Sequence, residues 1–301
     1  TDLVDTIFIG RRFLMKSLCI KTNNSKLLQY LLNELKHFEL SNICFSLRKF
    51  KHYNNIIIHY NGVDNSTFLN KISYILTIMI IDELEETFLK DSLNQNYFYF
   101  DFNEKNEILE LFFDISAEDF TNLFEKKFNI IYHKIYEYLS CNKSLFLSGF
   151  IYFRLQDYFK LLDNLLSRAV NSFVVEKEYM EFISLLKLYV TSQPPTCSSV
   201  HIIYSSSECL LLDENKQIID IYNYKLDAKY LSDISFSTND YTLNTLLNIL
   251  PEKIYIHVVN SYFDEFLNTL QQIFEDRIII CADCNICKPY KNQTGTTTKK
   301  V

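Results

Sequence analysis

Cys281, Cys284 and Cys287 stand three residues apart in Cys-Ala-Asp-Cys-Asn-Ile-Cys, close to the end of a chain of 301 residues. Thiolates are soft donors, and a turn with cysteines at this spacing aims several of them at one ion, as zinc and iron–sulfur sites require. The bacterial ferredoxin run needs a further cysteine four residues on, followed by proline. Lys291 stands there instead, which takes the strongest support from an iron–sulfur cofactor, so the cofactor is unknown, with zinc and iron–sulfur both open. A fourth ligand must then come from elsewhere. His257 lies near the end of the apolar segment Ile254 to Val258, and a second such segment, Ile278 to Ile280, stops just before Cys281. Two strands joined by a helix in a β-α-β unit bring their C-terminal ends to one edge of the sheet, so this order predicts His257 beside Cys281. His201 and Cys209 are weaker candidates, because they depend on a strand order that the sequence does not give. A disulfide switch through Cys281 and Cys284, or Cys284 and Cys287, is the other chemistry open to the cluster. The blandest alternative is a set of reduced thiols beside a polar tail.

Nothing else assembles. Cys19, Cys44, Cys141 and Cys197 are scattered, which suits a reducing compartment better than a disulfide framework. His37, His52, His59 and His133 each lie alone in different segments. Asp82, Glu83, Glu85 and Glu86 are nearly consecutive and must point around a helix rather than converge. Arg154, Arg168 and Glu176 are the best non-metal locus, read as a polar contact between two central helices. No nucleophile, base and orienting group fall together, so the expectation leans away from an enzyme. A net charge of -7 argues against a nucleic-acid partner, since phosphate binding needs a basic surface. No apolar run approaches the roughly twenty residues that span a bilayer. No secretion signal is evident either, so a cytoplasmic location is expected.

The elements that position these residues follow from periodicity. Residues 15–63 read as a small α+β unit in β-α-β-β-α order, with Asn24 capping a helix whose Leu27, Leu31 and Leu35 form a stripe. Residues 64–195 read as a helical bundle. Within it, Tyr97 to Phe100 is an isolated strand or an aromatic plug, Ile108 to Phe113 a short helix, and Ser116 with Asp119 a capping box. Two long amphipathic helices follow and are expected to meet near Asn171 to Glu176, the second ended by Pro194-Pro195. Residues 196–288 read as a mixed α/β sheet domain, including a hairpin of Cys209 to Leu212 with Ile218 to Ile221. Residues 289–301 form a flexible tail, and residues 1–14 a disordered extension. The fold class is therefore α+β.

The strings Phe153-Arg154-Leu155-Gln156-Asp157-Tyr158, Val175 to Ile183, Leu185-Leu186, Pro194-Pro195 and Val200-His201-Ile202-Ile203 resemble the YtxC family. That family is associated with sporulation in endospore-forming, low-GC Gram-positive bacteria, and the resemblance covers roughly residues 147 to 288. It implies a sporulation setting; together with the absence of an assembled catalytic constellation, it makes a non-catalytic protein that works through a protein partner the expectation. It carries no catalytic or binding residues to transfer.

Overall fold

The computed structural model describes residues 16–37, 43–51, 53–62, 64–205, 208–222, 237–259, 264–281 and 284–291. The N-terminal extension, His52 and the tail beyond 291 lie outside them. The fold is α+β, with two mixed sheets and long helices. The described residues fall into two compact units, within 1–174 and within 175–301.

The first unit begins with β1 (Lys16–Thr22), α1 (Ser25–Lys36), β2 (Ile43–Lys49), β3 (Asn54–Tyr60) and α2 (Asn65–Asn96). This is the expected β-α-β-β-α order. Asn24 caps α1 by accepting from the amides of Lys26 and Leu27 at 2.9 and 3.3 Å, and Leu27, Leu31 and Leu35 are buried. Then come α3 (Phe102–Glu118), α4 (Phe120–Cys141), β4 (Ser144–Phe146), α5 (Leu147–Arg154) and α6 (Gln156–Ser192), which continues into the second unit. The sheet order is β2-β3-β1-β4, with β4 parallel to β1 and the other pairings antiparallel. Strand and helix side chains share one core, in which Ile20, Ile56 and Ile58 meet Leu76, Ile80, Phe112, Ile135 and Leu166.

Several expected boundaries are corrected. α6 runs unbroken through Asn171 to Glu176, so no helix junction exists there. Arg168 and Glu176 therefore sit on one helix, both exposed, and do not join two helices. Residues 97–100 form a turn between α2 and α3 rather than a strand. The short helix at Ile108 is part of the 17-residue α3, whose capping box is Asp101 with Glu104. Ser116 lies inside that helix, and Asp119 makes no side-chain cap to α4.

One polar group crosses this apolar core. Glu85 on α2 accepts from Lys127 Nζ of α4 at 2.6 Å and from the Tyr158 hydroxyl of α6 at 2.7 Å, with all three side chains buried. Each Glu85 oxygen thus has its own donor, which is the condition for keeping a charge inside. The same helix begins at Asp64, whose carboxylate is held down to about 2 by hydrogen bonds from the Ser66 and Thr67 hydroxyls and amides. A depressed folded pKa gives a contribution that is complete above the ordinary value of 3.8 and is lost as the pH falls through about 2. Urea midpoints taken from pH 5 down to pH 2 should therefore fall more steeply for the natural chain than for Asp64→Asn, which caps without titrating. Parallel curves would refute this.

The second unit holds the end of α6, then β5 (Cys197–Ser205), β6 (Glu208–Leu212), α7 (Thr238–Ile249), β7 (Pro251–Val258), α8 (Glu265–Phe274), a single 3-10 turn, β8 (Ile278–Cys281) and α9 (Lys288–Lys291). Sheet order is β6-β5-β7-β8; β5, β7 and β8 are parallel and β6 is antiparallel to β5. Ile218 to Ile221 forms no regular strand, but the expected hairpin with Cys209 to Leu212 is kept in part: Leu212 and Ile218 form an antiparallel bridge, Ile219 N donates to the Leu211 carbonyl at 2.9 Å, and Asp213 N donates to the Gln217 carbonyl at 2.8 Å. Strand alternation divides the sheet's two faces. Val200, Ile202, Ile254 and Ile256 enter a core with Ile183, Val190, Leu267, Leu270 and Phe274. His201, Ile203, Tyr255, His257 and Cys281 occupy the other face, because their pairings fall on the alternate positions.

Candidate metal centre

The face opposite the apolar core is where the cysteines gather. β7 and β8 are parallel and in register so that His257 is directly across from Cys281, as the β-α-β order predicts. Past residues 282–283, which lie outside the described set, the chain makes a tight turn: the amides of Cys287 and Lys288 both donate to the Cys284 carbonyl, at 3.1 and 3.3 Å. That turn brings the second and third thiols back over the sheet.

The donor atoms converge. Cys281 and Cys287 Sγ are 3.7 Å apart, and Cys284 and Cys287 Sγ 3.5 Å. His257 Nδ1 lies 3.1 Å from Cys287 Sγ and 3.5 Å from Cys284 Sγ, and all four ligand atoms are within 4.8 Å of one another. A tetrahedral zinc with Zn–S near 2.3 Å and Zn–N near 2.0–2.1 Å has S···S edges of about 3.8 Å and S···N edges of about 3.5 Å. The spacings are close to those edges and far from a disulfide bond of about 2.0 Å. Donors gathered this tightly around one point suit a single ion and leave no room for a multi-iron cluster between them. Cys287 and His257 are buried, at 1% and 2% exposure, while Cys281 and Cys284 are half-buried.

The electrostatics are mixed. Burial, helped by the neighbouring thiols of Cys284 and Cys287, pushes the Cys281 thiol up to about 12. Burial also opposes ionisation of Cys284, but hydrogen bonds from the Cys287 backbone and thiol and from the Ile286 amide outweigh it and hold this thiol below its ordinary value. Ile286 N donates to Cys284 Sγ at 3.3 Å. Burial, and then the neighbouring His201, keep His257 below the usual imidazole range, which favours the neutral form that ligates metal.

His201 is not brought to the cluster as a ligand. It stands on β5, and its Nδ1 lies 3.0 Å from His257 Nε2, on the side away from the sulfurs. Cys209 faces the apolar core and is buried there. The sequence offered no signal for the histidine pair, since residues 56 apart meet only through the parallel pairing of β5 with β7. Cys19, Cys44, Cys141 and Cys197 are free thiols outside the cluster.

An α+β chain with a three-cysteine, one-histidine cluster on its second sheet is the class that fold and geometry define. The family profile described as YtxC-like matches residues 70–279, and the chain belongs to that family. It is 24% identical over 210 residues to the uncharacterised protein YtxC of Bacillus subtilis (strain 168), covering 68% of this chain and 74% of that one. The match begins far before residue 147, so α2, α3 and α4 are part of the family's shared region. It stops at residue 279, just short of Cys281, so membership alone carries nothing about the cysteines. No solved structure matches the chain.

Proposed function

We propose that this protein holds one zinc ion through Cys281, Cys284, Cys287 and His257, and that the ion serves as a structural staple rather than a catalytic centre. The observation that carries the reading is the gathering of four donors within 4.8 Å. Four protein ligands close a tetrahedral site and leave no open position for water or substrate, as in structural zinc sites. The ion would pin the loop after β8 onto the sheet face that carries His257 and Cys281. The test is the metal content of chain purified under reducing conditions without added metal. About one zinc per chain is expected, falling to near zero when the three cysteines are replaced by serine; no metal in the reduced natural chain would overturn the reading.

The partner-binding role has its own support. Phe182, Leu185 and Leu188 on the C-terminal half of α6 are 54%, 65% and 65% exposed. Contiguous apolar side chains left in water are features of protein-binding surfaces. We read the protein as a non-catalytic interaction protein of the cytoplasm, with the family resemblance supplying the sporulation setting. No helix among the described residues is long and apolar enough to cross a membrane. A deletion strain in a spore-former carrying this gene should yield fewer heat-resistant spores, and normal yields under several regimes would remove the sporulation part of the proposal.

A further inference from the structure

We propose that His201 is the positioning residue of the metal centre, fixing which nitrogen of His257 faces the ion. The inference rests on the reading of the cluster as a zinc site and goes beyond it by assigning a role outside the four ligands.

His257 points Nδ1 at Cys284 and Cys287 and Nε2 at His201. A neutral imidazole carries one proton, so a metal on Nδ1 requires that proton on Nε2. At 3.0 Å, the Nε2–H of His257 then donates to Nδ1 of His201, which must offer its lone pair and keep its own proton on Nε2. With the ion on Nδ1 the pair can run in one direction only, His257 donating and His201 accepting, and that bond holds the ring with Nδ1 turned toward the thiols. Metal-bound histidines commonly have their second nitrogen held by an acceptor, and loss of that acceptor typically costs 10–100-fold in metal affinity.

The fold fixes the acceptor as well as the ligand. In the parallel pairing of β5 with β7, His201 lies across from Tyr255 and Ile203 across from His257, so His201 and His257 share one sheet face two positions apart. Tyr255 stacks on the His201 ring with centroids 5.0 Å apart and an angle of 20° between planes. The His201 and His257 rings are likewise near parallel, 26° apart. His201 thus has a neighbour on its strand partner that limits its rotation. Read across the sheet, β8 supplies Cys281, β7 supplies His257 and β5 supplies His201.

The test compares His201→Leu, which fills the space without an acceptor, with His201→Asn, whose side-chain oxygen can stand near the lost Nδ1. Zinc affinity is measured on the full chain by competition with a chromophoric chelator. A nitrogen-15 long-range correlation spectrum of the zinc-loaded natural chain reads which His257 nitrogen bears the proton. The expected result is a 10–100-fold loss of affinity in His201→Leu, substantial recovery in His201→Asn, and a proton on His257 Nε2. Unchanged affinity in His201→Leu, equal losses in both variants, or metal on Nε2 would overturn the inference while leaving the zinc site standing. A natural chain that binds no zinc would overturn both.

Discussion

Removing the proposed zinc from the intact chain, or replacing Cys287 with serine, is expected to lower the stability of the second unit by several kcal/mol. A ligand that binds only the folded state stabilises it by RT ln(1 + [L]/Kd), which is about 4 kcal/mol when free zinc exceeds Kd a thousandfold. Zinc-finger peptides gain roughly 10–16 kcal/mol from the metal because they have almost no other core. Here the sheet already has an apolar face packed with Val200, Ile202, Ile254, Ile256, Leu267 and Leu270, so the smaller figure is the relevant one. Cys287 is the member to replace, because it is the most deeply buried thiol and lies within 3.7 Å of three other donors. Amide hydrogen exchange checks this region by region. Chelation should strip protection from β7 and β8 in the natural chain, and should change little in Cys287→Ser. Equal behaviour of the two proteins, with and without chelator, would contradict the prediction.

The second large effect lies in the first unit. Lys127→Met leaves Glu85 buried with one donor, the Tyr158 hydroxyl, and should cost about 3–5 kcal/mol, the range for a buried pair that loses one partner. The geometry sets the sign: at 2.6 Å and with both side chains about a tenth exposed, neither charge can turn to water instead. The double replacement Glu85→Leu with Lys127→Met removes both charges and should recover much of the loss. Urea unfolding of the natural chain, Lys127→Met, Glu85→Leu and the double replacement forms a thermodynamic cycle. A single replacement as stable as the natural chain would show that the pair is hydrated in solution.

How much of this was legible in the sequence depended on whether the signal was local. The cysteine spacing and the β-α-β order around His257 are local patterns, and together they point to the four side chains that the fold gathers. The cap at Asn24 and the stripe on α1 were readable for the same reason. The false junction in α6 has a different origin. Its buried face serves one core through Ala169, Val170 and Phe173 and another through Ile183 and Val190, so the apolar stripe slips around the helix and reads as a break. No proline or glycine occurs between Gln156 and Ser192, and that absence was the available signal for continuity. β4 has three residues, too few for any periodicity, and exists through its pairing with β1. The Ser116 and Asp119 pattern failed because a capping motif has no force inside a helix already capped at Asp101. The histidine pair is a tertiary fact, created by the placement of β5 beside β7.

X-ray absorption at the zinc edge of the purified, reduced chain puts the centre to its most direct test. The expected shell is four-coordinate, with three sulfurs at about 2.3 Å and one nitrogen at about 2.0–2.1 Å. A shell of oxygen and nitrogen alone, or fewer than two sulfurs, would show that the thiols converge for some other reason.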